Sequence, residues 1–258
     1  MKHGDFTELA KFYVDRPGYS LAVLELIRDH VMNAQGRDKI FVADVGAGTG
    51  KLTENLEELG LTGYAVEPND AMRAEGIKLF ENHNSFKWIE GSAEVTNLPD
   101  HSVDWILMGS SFHWADAPRA MKEFHRVLKE GGFFTAIWNP RNIEASSLHM
   151  EIEKIVYSEV PGMKRVSSGG TVTTEEMEEK TCETGLFEDI VMIEAPYSEK
   201  MTKERYMNIW KSVNDIRVQA GEEGFQRILK GIEEKLEGMD EIAVPYRARS
   251  WTVRAKIL

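Results

Sequence analysis

The chain has little cysteine and fewer basic than acidic residues. Cys182 is the single cysteine among 258 residues, which excludes an intrachain disulfide and a zinc site built on several cysteines. The formal net charge of −12 disfavours a general affinity for nucleic-acid phosphates. There is no long apolar run, and no H-E-x-x-H motif or spaced His/Asp cluster that would indicate a metal. We therefore expect a cytoplasmic protein without signal peptide, membrane span, metal or nucleic-acid partner.

Short apolar segments alternate with amphipathic helical patterns through the first half of the sequence. This alternation predicts a Rossmann-like α/β fold, doubly wound, with a mostly parallel seven-stranded sheet and helices on both faces. The expected strands are 40–45, 62–66, 86–90, 103–108, 133–138, 188–195 and 250–257. The expected helices are 51–59, 70–80, a helix capped by Asp116 and ended by Gly131 and Gly132, and then 147–160, 202–212 and 222–236.

No linker or internal repeat divides the chain. We therefore expect one domain over residues 1–258, with a core of about 36–140 and 185–258. The remaining segments, about 1–30, 141–184 and 200–240, would be helical additions placed where a lid over a substrate could lie.

The most informative segment is V-A-D-V-G-A-G-T-G-K-L, residues 42–52. A strand opens into a loop with glycines at alternate positions, Gly46, Gly48 and Gly50, and a helix follows. Glycine tolerates positive φ and lets a ligand approach the backbone, and N–H groups before a helix are expected to point at bound polar groups. The order strand, glycine loop, helix therefore predicts a site for a nucleotide-type cofactor.

The spacing of the glycines selects among cofactors. The dinucleotide fingerprint needs a third glycine where Lys51 or Thr53 stands, and the P-loop needs glycine where Val45 stands. What remains is D-x-G-x-G-x-G from Asp44 to Gly50. This pattern resembles motif I of the class I S-adenosylmethionine-dependent methyltransferases.

Three further segments follow predicted strands, and ligands of open α/β sheets bind at the carboxyl ends of such strands. Glu67, in A-V-E-P-N, lies at a distance from Gly46 typical of an acid that binds ribose hydroxyls. The resemblance implies further cofactor contacts, through side chain or backbone. They are Asp44, Gly46, Ala47, Gly48, Gly50, Pro68, Met72, Ser92, Ala93, Glu94, Gly109 and Ser110. Ser92 stands where many members of the family have Asp, and Met72 is equally compatible with core packing or contact with adenine.

Two segments resemble one branch of this class more closely. They are F-x-x-x-A-x-x-Y-x-x-R-P-G-Y, residues 6–19, and G-S-S-F-H-W-A-D, residues 109–116. Both are similar to small-molecule methyltransferases of the trans-aconitate methyltransferase-like group (methyltransferase type 11). The resemblance implies that Tyr13 and Arg16 approach the methionine end of S-adenosylmethionine, and that S-adenosylhomocysteine is the product.

Methyl transfer from a sulfonium needs positioning and exclusion of water, and a base only when the acceptor starts protonated. His113 is the candidate catalytic residue, either as that base or as a residue that orders its loop. Trp210 would line the substrate pocket or pack in the core. The acceptor group would be an oxygen, a nitrogen or a carboxylate on a small molecule. Alternatives are methylation of protein or RNA, a non-catalytic cofactor-binding module, and a nicotinamide-dependent oxidoreductase.

Overall fold

The computed structural model describes residues 15–164 and 169–257. Its seven strands are β1 Phe41–Val45, β2 Thr62–Val66, β3 Phe86–Ile89, β4 Val103–Gly109, β5 Leu128–Trp138, β6 Phe187–Thr202 and β7 Glu241–Ala255. They form one sheet in the order β3-β2-β1-β4-β5-β7-β6. Strands β1 to β5 are parallel, and β7 runs antiparallel between β5 and β6. The predicted Rossmann-like, mostly parallel seven-stranded sheet is confirmed.

Eight α-helices surround the sheet in the described part of the chain. They are α1 Leu21–Gln35, α2 Lys51–Glu58, α3 Asp70–Leu79, α4 Ala117–Val127, α5 Ser147–Glu159, α6 Thr174–Cys182, α7 Lys203–Lys211 and α8 Asn214–Lys235. Local capping fixes several helix starts: Asn69 accepts from the Met72 N–H at 3.0 Å, and Asp116 accepts from the Arg119 N–H at 3.2 Å. No helix in the described ranges is long and apolar enough to cross a bilayer.

Helices cover both faces of the sheet, as a doubly wound fold requires. On one face the buried stripe of α1 packs with α2 against β1, β4 and β5, as in the contact layer of Leu24, Leu56 and Trp105. On the other face α4 and α6 pack against the sheet, with Phe124 and Phe134 at the centre. Residues 21–35 form α1, which packs on the sheet. They partly overlap the N-terminal lid segment, about 1–30, that was expected from the sequence.

The prediction that Gly131 and Gly132 end the fourth helix is wrong. Helix α4 ends at Val127, and β5 begins directly at Leu128, which pairs with Val103 before the register shifts. A Cβ at Gly132 would lie 3.0 Å from the Asp104 carbonyl oxygen. Gly132 therefore permits close approach of β4 and β5, and Gly131 adopts a positive φ of 67°, so neither glycine acts as a helix stop.

The last two strands are far longer than the predicted 188–195 and 250–257. Strands β6 and β7 form one long antiparallel pair that reaches Thr202 and Glu241, and α7 and α8 connect them. Helices α5, α7 and α8 pack on the outer part of this strand pair and bury a second cluster that includes Trp210, Phe225 and Val244. We call α5, α7, α8 and this outer part of the strand pair the helical lobe. Helix α8 begins at Asn214 and contains a break at Gly221 (φ 67°), so the predicted helix 222–236 corresponds to its second part.

Candidate active site

A cavity of about 680 Å³ opens at the carboxyl ends of the parallel strands and extends to the helical lobe. Fourteen of the residues predicted from the sequence line it: Arg16, Asp44, Gly46, Ala47, Gly48, Glu67, Pro68, Met72, Ser92, Ala93, Glu94, Gly109, Ser110 and His113. Tyr13 lies outside the described residues. The topology therefore brings five separate sequence segments together around one space.

The glycine loop after β1 presents bare backbone to this cavity. Gly46 and Gly48 both have positive φ, 73° and 61°. The Gly46 and Ala47 N–H groups donate to the Val66 carbonyl oxygen at 2.8 and 3.0 Å, and the Gly48 N–H donates to Glu67 Oε2 at 2.8 Å. The expectation that these N–H groups point at the ligand is therefore wrong. The end of β2 uses these three N–H groups, so they are not free to bind a phosphate.

Among the described residues that were predicted to contact the cofactor, Gly50 is the one that does not line the cavity. It precedes α2 with φ 96°, and a Cβ there would lie 2.6 Å from Phe80 Cε2. The aromatic ring and the left-handed backbone conformation explain the glycine at this position. This corrects its assignment as a ligand-contacting residue.

Asp44 supplies a buried carboxylate at the end of β1. Its Oδ2 accepts from the Thr53 hydroxyl at 2.6 Å, whereas Oδ1 is buried and has no hydrogen-bond partner in the described part of the chain. Burial raises the pKa of Asp44 to about 7; Thr53 opposes the rise, and the nearby Glu67 charge adds to it. An unpartnered buried acceptor at a cavity wall suits a donor or cation from a ligand.

Glu67 lies at the tip of the neighbouring strand β2 and is 7% exposed. Its two oxygens accept from the N–H groups of Asn69 and Gly48, each at 2.8 Å. Burial raises the pKa of Glu67, and these backbone hydrogen bonds partly offset the rise. Because a carboxylate oxygen has two lone pairs, each oxygen can accept one further hydroxyl hydrogen.

The loop after β3 is fixed to the start of α4. The Ser92 hydroxyl donates to Glu94 Oε2 and the Asp116 N–H donates to Glu94 Oε1, both at 2.8 Å. Burial raises the pKa of Glu94, but these hydrogen bonds outweigh it, and the net shift is downward. Met72 is buried on α3 and lines the cavity, so core packing and cavity contact coexist at this residue.

The N-terminal segment docks on the other side of the site. The Tyr19 hydroxyl donates to Ser110 Oγ at 3.0 Å, and Ser110 has an unusual positive φ of 52°. Arg16 donates from Nε to Ser212 Oγ at 2.8 Å and from Nη2 to the Ser212 carbonyl oxygen at 3.1 Å. Arg16 thus lines the cavity and also ties this segment to the helical lobe.

His113 lies on a short 3₁₀ turn, Phe112–Trp114, after β4. The indole N–H of Trp138 donates to His113 Nδ1 at 3.4 Å. Burial, with a smaller effect from Lys180, lowers the pKa of His113. Nδ1 is therefore an acceptor, which assigns the ring proton to Nε2. A neutral imidazole with Nε2–H is a hydrogen-bond donor toward a substrate, and this arrangement favours a positioning role over that of a base.

Sequence reasoning missed the cavity residues that come after β5 and from the helical lobe. They include Asn139, Arg141, Tyr157 and Tyr246. Position directly after a parallel strand was the available signal for Asn139 and Arg141. Trp210 is 0% exposed and packs in the lobe beneath Arg141, so of its two predicted placements the core is the observed one.

A search against protein-family models matches residues 43–136 to a family described as "Methyltransferase domain". The matched segment runs from β1 into β5 and carries the glycine loop, Glu67 and His113.

Two curated relatives have methyltransferase names. An uncharacterized methyltransferase of Mycobacterium tuberculosis is 41% identical over 108 residues, which are 39% of this chain and 40% of that protein. The demethylmenaquinone methyltransferase of Chlorobaculum tepidum is 31% identical over 135 residues, 50% of this chain and 54% of that protein. The matches thus span about half of these relatives or less.

A solved structure of a candidate type II methyltransferase from Anaeromyxobacter dehalogenans shares the fold over most of this chain. It has a TM-score of 0.62 at 17% identity and covers 94% of this chain and 98% of that one. The Rossmann-like α/β fold is shared with a solved methyltransferase structure, and residues 43–136 resemble a methyltransferase domain in sequence. The expected resemblance to class I methyltransferases is supported at this level.

Proposed function

We propose that this protein transfers the methyl group of S-adenosylmethionine to a small-molecule acceptor at an oxygen, a nitrogen or a carboxylate. One observation carries the proposal: Asp44, the bare glycine loop and Glu67 stand side by side at the tips of adjacent strands, in one cavity. Asp44 would bind the amino end of the cofactor and Glu67 its ribose. S-adenosylhomocysteine would remain as the product.

The residues present fit this cofactor better than a dinucleotide. Asp44 Oδ1 is a buried acceptor without a partner among the described residues, and Gly48 leaves open space, because an added Cβ would meet only Met72 Cε at 3.5 Å. A pyrophosphate would need amide donors, and the N–H groups of Gly46, Ala47 and Gly48 already donate to the end of β2. When bound, S-adenosylmethionine supplies an electrophilic methyl group on its sulfonium. The protein positions the acceptor and excludes water.

A small molecule is the acceptor that the cavity favours. Its volume of about 680 Å³ is within the range of small-molecule sites, and the helical lobe covers the side opposite the glycine loop through Tyr157 and Ile209. The Chlorobaculum relative is itself named for a small acceptor, demethylmenaquinone. The trans-aconitate-like branch, the lid roles of residues 1–30, 141–184 and 200–240, and a cytoplasmic location stay predictions.

Calorimetric titration with S-adenosylhomocysteine tests the cofactor assignment. Glu67→Ala should weaken binding by about 1–3 kcal/mol, because charge-assisted hydrogen bonds are lost. Gly48→Val should abolish binding, since the side chain would fill the cavity next to Met72. Glu90→Ala is the matched control, because Glu90 follows β3 and its side chain is 75% exposed. Thermal melting of each variant verifies folding.

Parent-like binding by either site variant would refute the assignment. A parent that fails to bind S-adenosylhomocysteine would refute the proposed function as a whole. A parent that binds but never transfers labelled methyl groups to small molecules would instead indicate a non-catalytic cofactor-binding module.

A further inference from the structure

Arg141 is an arginine of the cavity wall that has no ionic partner in the described part of the chain. It follows β5, and its guanidinium carbon lies 4.4 Å from the ring centroid of Trp210 and 5.9 Å from that of Tyr206. Its Nη1 is buried and has no hydrogen-bond partner among the described residues. Arg205 and Arg249, by contrast, each form an ion pair with a glutamate at 2.7 Å. A buried guanidinium nitrogen without an acceptor is costly unless a ligand supplies one.

Other buried polar groups around Arg141 also lack a hydrogen-bond partner. Within residues 15–164 and 169–257, the buried Trp210 Nε1, Tyr206 hydroxyl and His149 Nε2 also have no hydrogen-bond partner. A guanidinium can only donate, so the partner missing at Arg141 Nη1 is a hydrogen-bond acceptor. His149 adds no positive charge at neutral pH, because burial, and then the Arg141 charge, lowers its pKa to about 4.

Nearby carboxylates do not neutralise Arg141. Glu153 and Asp215 also line the cavity, but both have interactions of their own and neither forms an ion pair with Arg141. Tyr246 pairs with Arg141 through an isolated backbone bridge, and its ring also lines the cavity. Burial raises the pKa of Tyr246, so its phenol stays neutral beside the guanidinium. The wall between Arg141 and Tyr246 therefore offers an uncompensated positive charge next to apolar and aromatic surface.

We propose that Arg141 binds an anionic group of the methyl acceptor, a carboxylate or a phosphate, and that Trp210 positions the guanidinium. The inference rests on the proposed function, because it assigns the acceptor end of the same cavity. A planar guanidinium with several parallel N–H groups matches the oxygens of either anion, and stacking on an aromatic ring fixes its plane. Arg141 would select anionic acceptors over neutral molecules of the same shape.

The test uses the complex of the full chain with S-adenosylhomocysteine and matched pairs of probes. Succinate is compared with succinamide, benzoate with benzamide, and phenyl phosphate with phenol, by thermal shift over a concentration series. Anionic probes should raise the melting temperature more than their neutral partners do. Arg141→Gln should weaken the apparent affinity for the anions by about 10- to 100-fold and leave the neutral probes unchanged. Arg141→Lys, which keeps the charge, should retain part of the preference.

Arg217→Gln is the matched control. Arg217 also lies over an aromatic ring, at 4.7 Å from the centroid of Phe225, but its Nε forms an ion pair with Glu222 at 3.7 Å and the residue does not line the cavity. This variant should behave like the parent. The phosphate and carboxylate pairs show which anion is preferred.

Anions that bind no better than their neutral partners would overturn the proposal, as would an unchanged preference in the Arg141→Gln protein. S-adenosylhomocysteine affinity, measured on the same samples, separates the two hypotheses. Parent-like cofactor binding without any preference for anions defeats only the role of Arg141, whereas absence of cofactor binding defeats the proposed function.

Discussion

Replacement of Asp44 by asparagine should make the stability of the ligand-free protein less dependent on pH. The Asp44 carboxyl is fully buried, and its pKa is raised from 3.8 to about 7. The folded state therefore holds a proton that the unfolded chain has already released. The stabilisation is fully present below pH 4 and is lost as pH rises toward 7 and through it. With these two pKa values, the loss between pH 5 and pH 8 is about 3 kcal/mol.

The asparagine variant removes this titration while Thr53 keeps an oxygen to donate to. The introduced side-chain amide leaves its own hydrogens buried, but that cost does not depend on pH and cancels when two pH values are compared. We expect Asp44→Asn to gain about 3 kcal/mol relative to the parent between pH 5 and pH 8. The same variant should lose affinity for S-adenosylhomocysteine, because the acceptor for the amino group has lost its charge.

Urea unfolding followed by circular dichroism at pH 5, 6, 7 and 8 measures the difference. Glu67 also has a raised pKa, so it contributes a loss of the same sign to both proteins. Parallel pH profiles for parent and variant would refute the reasoning, since Asp44 would then titrate alike in the folded and unfolded chains. An increase of parent stability from pH 5 to pH 8 with no change in the Asp44→Asn profile would contradict it even more directly.

Two further predictions concern the side chains of His113 and Asp104. His113→Gln should keep most of the turnover, because glutamine can accept a hydrogen bond from Trp138 and still donate one to the substrate. If His113 were a general base, turnover would fall by about 100-fold or more in this variant. Labelled methyl transfer at pH 8 decides between these two roles. Asp104→Asn should lower the free energy of unfolding by about 2 kcal/mol. The buried Asp104 binds Arg37 at 2.9 Å, Lys129 at 2.8 Å and the Phe41 N–H at 2.8 Å; an unchanged urea midpoint would show that these contacts contribute nothing.

The use of the loop amides by β2 has a consequence for ligand choice. A glycine loop is often interpreted as a phosphate-binding site. Here, however, the N–H groups of Gly46 and Ala47 donate to the Val66 carbonyl oxygen, and that of Gly48 donates to the Glu67 side chain. What faces the cavity is a carboxylate-rich wall with space above the glycines. That wall suits a cofactor with positive charge, and the spacing D-x-G-x-G-x-G points to the same choice.

The core strands and their helices were predictable because their signals are local. Each of β1, β2 and β4 is a short apolar run, and α3 and α4 start at side chains that cap their own first turns. The end of α4 was not predictable, because Leu128 fits the apolar stripe of the helix and the apolar pattern of the strand equally well. Pairing with Val103 decides between them.

Apolar periodicity and glycine spacing act within a few residues, so they were enough to predict the parallel strands, the glycine loop and the acids at strand tips. The wall of the cavity that the helical lobe forms depends on contacts between distant segments. Arg16 meets Ser212 across 196 positions, and Arg141 lies over Trp210 from a different element. Such contacts depend on where the long β6 and β7 strands place α5, α7 and α8 relative to the cavity. No short-range pattern records that placement, since the packing energy that fixes it comes from residues far apart in the chain.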